Sequence, residues 1–280
     1  MKIVIPEGTE LIVNIDDYLS GDATRYEVEE IVMPDSVKDI EKKAFQNCTN
    51  LKKVNISSAV KSIRKSVFEG CLELESIEIP DSVTRIGETA FWRCKALKSV
   101  KLPNGLKLIG ADAFEDCISL ESIAIPDTVT NIQNAAFCGC KSLKSAKLPS
   151  KLPEIPIAMF AGCTALESVD IPESVKKIEA EAFTGCTSLK TVSLPMSLAE
   201  LGEMVFADCE NLQYITVGGE LKTIGNNVFA GADNMKKIIF EKGTKTEKTL
   251  KDTFGPMIYA VYCEPVELDK VEPPKQKGEE

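Results

Sequence analysis

Apolar positions in this chain follow short periods nested inside a long one. Over Ser76–Pro80 the residues alternate, with Ile77 and Ile79 apolar between Ser76 and Glu78, which is the pattern of a strand with one buried face. Proline at 80, 103, 126, 149, 172 and 195 follows such a segment and, lacking an amide hydrogen, ends it. Turn formers such as Asp81-Ser82 and Asp127-Thr128 come next. A second short extended piece then carries Val83 and Ile86 inward, and Gly87, Gly110, Gly202 and Gly225 mark its bend. The segment Glu88-Thr89-Ala90-Phe91 is too short for an independent helix and predicts a helical or 3₁₀ turn on the outer side.

The long period is 23 residues, without insertion or deletion, over nine copies. It carries Phe45, Phe68, Phe91, Phe114, Phe137, Phe160, Phe183, Phe206 and Phe229. Three residues after each Phe stand Cys48, Cys71, Cys94, Cys117, Cys140, Cys163, Cys186 and Cys209, with Ala232 closing the series. Six after stand Leu51, Leu74, Leu97, Leu120, Leu143, Leu166, Leu189 and Leu212, then Met235. A fixed period of this size marks a solenoid, whose units stack on their neighbours around a continuous core. Stacking at roughly 4.8 Å per coil sets each Phe over the last in a structural ladder, each ring contributing about 1.5–3 kcal/mol by burial.

The ends depart from the period. Residues 1–30 predict an N-terminal capping coil, because the step from Pro6 to Pro34 is 28 residues and implies an insertion around Asp16–Arg25. Residues 31–241 hold nine regular repeats, and 242–263 predict a C-terminal cap in which Met257–Tyr262 reads as a final covering strand. Residues 264–280, rich in Pro, Glu and Lys, predict a disordered tail or linker stub.

Composition narrows the function more than the fold. A length of 280 residues alone suggests two domains, but one stacked core overrides that count. The net charge of −10 argues against nucleic acid or an anionic membrane as the main partner. There is no histidine, which excludes Ser-His-Asp and Cys-His catalysis and every His-ligated metal site. No phosphate-binding glycine loop is present, so no catalytic residue, metal or cofactor is assigned. There is no apolar run of the length a membrane span needs, and Met1–Glu7 lacks the segment and cleavage site of a leader.

Eight of the ten cysteines sit between a buried Phe and a buried Leu and read as small apolar thiols, although coil spacing does not itself forbid a bridge. Cys138 occupies a mostly polar, outward position. One residue after each Leu the charge alternates through Lys52, Glu75, Lys98, Glu121, Lys144, Glu167 and Lys190, which predicts each Glu between two Lys. A partner would meet the outward strand positions. One series runs Lys53, Ser76, Ser99, Ser122, Ser145, Ser168, Thr191, Tyr214 and Lys237; its neighbour includes Lys101, Lys147, Asp170 and Ile239. Tyr214, Ile239, Lys237, Asp170, Lys147 and Lys101, with the lone tryptophan Trp92 on the outer side, are the candidate contact residues.

The unit Ala182-Phe183-Thr184-Gly185-Cys186, continuing through Leu189 and Val192, resembles the BspA-type leucine-rich repeat, the 23-residue class also found in spirochaete proteins. The resemblance covers about Ile31–Phe240, with local departures such as Ser57, Gly218 and Glu241 in place of proline. It implies an α/β, right-handed, arc-shaped leucine-rich-repeat solenoid with a parallel β-sheet on the concave face and short helical or 3₁₀ turns outside. It also implies a non-catalytic interaction or adhesion module at a cell surface or secreted, binding a protein, host proteins included, or a glycan. A structural spacer or an intracellular, cytoplasmic scaffold is the alternative.

Overall fold

The computed structural model describes residues 1–241 and 243–266. Two series of short parallel strands run the length of a solenoid, most strands pairing with their equivalent one coil on, with the pairing interrupted at intervals, as between Ser99–Lys101 and Ser122–Ala124 and between Ser168–Val169 and Thr191–Leu194. The longer strands include Ser76–Glu78, Ser122–Ala124 and Tyr214–Val217; the shorter ones include Arg85–Ile86 and Asn131–Ile132. Register follows the period: Ser122 pairs with Ser145, and Leu108 with Asn131. In the first coil the step is 28, with Lys2 opposite Glu30 and Leu11 opposite Asp39. The extra residues fold into two 3₁₀ turns, Ile15–Tyr18 and Arg25–Glu27. Arg25 ties them to the next coil by donating to the Gln46 carbonyl at 2.8 Å.

The third side of each coil is a chain of reverse turns rather than a helix. In the second coil the Ala44, Gln46 and Cys48 amides donate to the carbonyls three residues back, while Lys43, Phe45 and Asn47 donate to the next coil's Lys65, Val67 and Glu69 at 2.7–3.1 Å. Backbone hydrogen bonding therefore runs coil to coil here too. The turns require a positive φ two residues before and two after each Phe, as at Thr89 (52°) and Arg93 (59°).

Eight of the nine Phe rings are fully buried, and Phe229 at the end is partly so. Centroids lie 5.0–6.0 Å apart, with interplanar angles from 2° to 27°. Each ladder thiol from Cys71 to Cys209 donates to the carbonyl of the Phe 26 residues earlier, at 3.1–3.3 Å. Cysteine suits this position because it fills an apolar slot and still offers one weak donor. All eight ladder thiols and Cys138 are free. Glycine at the bend answers a close approach: a Cβ on Gly110 would lie 2.6 Å from backbone atoms of Gly87 and Glu88.

The C-terminal end differs from the expected covering strand. A helix spans Lys245–Tyr262, and the strand follows it, at Cys263–Val266, parallel to Lys237–Glu241. Thr244 and Glu247, where the repeat asks for apolar residues, serve the helix start: Thr244 donates to the Glu241 carbonyl at 2.8 Å, and Glu247 accepts from the Gly243 amide at 2.9 Å. The helix then buries Thr246 and Leu250 against the last coil, with Thr246 Oγ1 donating to the Gly219 carbonyl and accepting from the Leu221 amide, both at 2.9 Å. Residues 264–266 of the predicted tail lie in the final strand, and 267–280 are outside the described residues.

Candidate interaction surface

Alternation along the longer strands puts one residue of each pair into the core and leaves its neighbours in solvent. Ser76, Ser99, Ser122, Ser145, Ser168 and Thr191 form an exposed hydroxyl file. Beside it stand Lys101, Lys147 and Asp170, all exposed. Lys101 is bound to Glu78 at 2.5 Å. Between Lys101 and Lys147 the file drops to Ala124, and Ala146 replaces a larger inward residue. A shallow groove of ≈ 610 Å³ opens there, lined by Ala124, Ser145, Lys147, Ser150, Asp170 and Pro172.

Tyr214 is exposed at 38%, directly opposite Lys237 in register. The Lys236 ammonium stands 5.6 Å from its ring centroid. Ile239, two residues along the same strand, is half-buried. The structure thus gathers Tyr214, Lys237 and Ile239 at the C-terminal end of the sheet, with Lys101, Lys147 and Asp170 along its middle. Trp92 is on the turn side, away from this face. It is half-buried instead of exposed, its Nε1 is enclosed without a hydrogen-bond partner, and the Arg93 guanidinium lies 5.5 Å from its ring.

The charge alternation closes fewer ion pairs than the spacing predicts. Lys98 meets Glu75 at 3.1 Å, and Lys52 meets Glu29 of the preceding coil at 3.5 Å. Among the described residues Glu121, Lys144, Glu167 and Lys190 close none. The alternation ends at Gln213, which stands where a carboxylate is due, between Lys190 and Lys236.

On the turn side, burial and then mutual repulsion hold the Glu115 carboxyl above its ordinary range, and burial does the same for Asp112. Burial and the neighbouring carboxylates push the half-buried Cys138 thiol up to about 11. No group of three or more acidic or thiol side chains among the described residues is arranged to hold a metal ion. A second cavity of ≈ 730 Å³ lies between the last turns and the C-terminal helix, with Glu203, Asn227, Phe229, Asp233 and Thr253 in its wall. No described helix is long and apolar enough to cross a membrane.

The family model for the BspA type leucine rich repeat region (6 copies) matches residues 23–144 and 132–251. A leucine-rich repeat protein from Bacteroides ovatus is 31% identical, with a TM-score of 0.73, over 86% of this chain and 63% of that one; the chain thus spans less than two thirds of that protein's length. The T. pallidum leucine-rich repeat protein is 28% identical over 72% of this chain and 82% of its own, with a TM-score of 0.57. A leucine-rich repeat protein from Eubacterium ventriosum, at 18% identity and a TM-score of 0.51, shares the fold over 79% of this chain and 68% of its own. No curated protein matches.

Proposed function

Because this chain belongs to the BspA-type leucine-rich repeat family, we propose that it is a non-catalytic protein-interaction module, binding through the solvent face of its long strand ladder. The observation that carries the reading is the sheet face itself. It is a continuous row of exposed side chains on a stacked, internally hydrogen-bonded scaffold, where an enzyme would converge its groups on an enclosed pocket. Tyr214, Lys237, Ile239, Lys147, Asp170 and Lys101 are the contact residues of this reading, and Trp92 is a secondary one on the turn side. Residues 1–30 and 242–263 act as caps around the nine repeats of 31–241. Adhesion to a host protein or a glycan, with placement at a cell surface or in secretion, is the finer form of the proposal and follows the family resemblance.

The test is capture on the immobilised full chain, comparing wild type with sheet-face variants (Lys147→Glu, Tyr214→Ala) and the turn-side variant Trp92→Ala. Specific capture that the sheet-face changes remove is the expected result. Capture indifferent to them would move the interface elsewhere, and no capture from any surface extract would favour a spacer.

A further inference from the structure

We propose that the C-terminal end of the sheet face, around Tyr214, binds an extended acidic segment of a partner protein. The proposal rests on the reading as an interaction module and names the chemistry of what that module takes.

Three independent observations meet at this place. The first is the backbone. Strands Thr191–Leu194, Tyr214–Val217 and Lys237–Glu241 have four, four and five residues, whereas those of the preceding coils have two or three. They pair in unbroken register, Thr191 to Tyr214 to Lys237, and Cys263–Val266 continues them as a fourth strand, so this is the broadest regular stretch of sheet among the described residues.

The second is charge. Backbone bonds stack Lys190, Gln213 and Lys236 one above the next: the Gln213 amide donates to the Lys190 carbonyl, and the Lys236 amide to the Gln213 carbonyl, both at 2.8 Å. The repeat places a carboxylate between lysines elsewhere, as Glu75 stands between Lys52 and Lys98, but here it places a neutral amide. Among the described residues neither Lys190 nor Lys236 forms an ion pair. Around this file, Glu167 and Asp170 stand one coil before Lys190, Glu241 lies at the far end of the last repeat strand, and Glu264 is opposite Ile239 in the final strand. In a chain of net charge −10 the Lys190–Gln213–Lys236 file is a row of positive charge with no carboxylate interposed, and it would steer an acidic segment to this edge of the sheet.

The third is the ring. Tyr214 is the exposed aromatic on the strand face, with the half-buried Ile239 two strand positions along from its partner Lys237. Tyr is among the residue types enriched as anchors of protein interfaces. Two ammonium groups two coil steps apart, about 10 Å, suit carboxylates two or three residues apart on an extended peptide. A sulfated glycan would be met by a denser cluster of cations without the aliphatic contact.

The test uses the full chain and a fluorescein-labelled dodecapeptide of alternating Glu and Val, with its Gln and Lys counterparts and heparin as comparisons, read by fluorescence anisotropy. Only the Glu peptide should bind, more weakly as salt rises. Tyr214→Ala should weaken it about tenfold or more, and the pair Lys190→Glu with Lys236→Glu should remove it. Gln213→Glu restores the residue the repeat calls for, so it leaves the fold intact as checked by circular dichroism, and should still weaken binding by about tenfold. Equal binding of the Gln peptide, binding unchanged in Gln213→Glu, or heparin binding in place of the peptide would each overturn the proposal. If Lys147→Glu abolishes partner capture while these variants do not, the module reading stands and this one falls.

Discussion

Replacing Phe137 tests the stack where it is most coupled. Its ring is fully buried, 5.4 Å from Phe114 at 2° and 5.8 Å from Phe160 at 15°. Truncating a buried Phe to Ala costs about 3–5 kcal/mol. Within that total each stacked neighbour accounts for about 0.5–1.5 kcal/mol beyond burial. Phe137→Leu keeps most of the buried area but loses both ring contacts, so it should cost about 1–3 kcal/mol. Phe229→Ala removes a partly exposed ring at the column's end and should cost less than Phe137→Ala, about 1–2 kcal/mol. The position matters for a second reason. Solenoid stability is a sum of coil terms and nearest-neighbour interface terms, and a cavity at the middle interface weakens the coupling between the two halves. Urea melts should be followed by far-ultraviolet circular dichroism and by fluorescence of Trp92, two coils before Phe137. For Phe137→Ala the two probes should part, with the Trp92 transition departing from the global one. A cost below 1 kcal/mol, or a larger cost at Phe229, would refute the claim that the aromatic column holds the coils together.

Burial raises all eight ladder thiols, Cys48 and Cys209 to about 12 from 9.0. The fold favours their protonated form, so this stabilisation is complete below pH 9 and is lost as pH climbs toward 12, at about 1.4 kcal/mol per pH unit per thiol; alkaline melts should steepen above pH 9, and the triple variant Cys117→Ala, Cys140→Ala, Cys163→Ala should blunt the loss. In a thiol-reagent assay at pH 8 the ladder should react only after denaturation, and a fast-reacting ladder thiol in the native chain would contradict the burial. Gly110→Ala should lower the thermal midpoint sharply, since its Cβ meets backbone at 2.6 Å. Ala135→Gly, at φ 54°, should leave stability unchanged or raise it by up to about 1 kcal/mol, because the left-handed cost of about 1–2 kcal/mol is relieved against glycine's entropy; a clear loss in the melt would argue against the turn geometry.

The coil architecture was legible because the period is strict: residues 23 apart have to occupy equivalent places, so the inward Phe, Cys and Leu files follow from spacing alone. The turn chain was not. The left-handed position before each Phe is held by Lys43, Ser66, Thr89, Asp112, Ala135, Ala158, Glu181, Met204 and Asn227, and none is a glycine that would announce it. Hydrogen bonds to the next coil and the buried ring impose the conformation there, overriding local preference. The C-terminal helix was hidden for a local reason, since Gly255-Pro256 within Lys245–Tyr262 reads as a break. The ion-pair file was overread. Exposed Lys–Glu pairs are worth about 0–1 kcal/mol, too little to hold long side chains in one arrangement, and coil spacing alone does not close them. Of the candidate contact residues the spacing puts Tyr214, Lys237 and Ile239 on one face, while Trp92, on the outer side as the repeat places it, has its indole half covered.

In a chain this repetitive, agreement with the repeat is explained by stacking, so the residues that require another explanation are those that depart from it. Some departures carry their own structural answer. Asn55 stands two residues before Ser57, which replaces proline, and its amide takes the Met33 N–H at 2.9 Å and gives to the Met33 carbonyl at 2.8 Å, so its side chain ties this coil to the one before, beyond the short strand Lys53–Val54. Gly218 and Gly219 stand where Cβ atoms would strike backbone of the preceding coil at 2.9 and 2.2 Å, so their absence of side chain is packing. Gln213 and Tyr214 have no such answer. Gln213 satisfies no core donor or acceptor by its side chain, and Tyr214 projects into solvent with a neighbouring lysine as its ring contact. The strand backbone is indifferent to what these two outward positions carry, because its hydrogen bonds run through main-chain atoms and its burial through Ile215 and Val217. A surface that stability leaves free to vary, and that nonetheless breaks its own pattern with an uncharged residue and a ring, is where selection for an outside contact would be written.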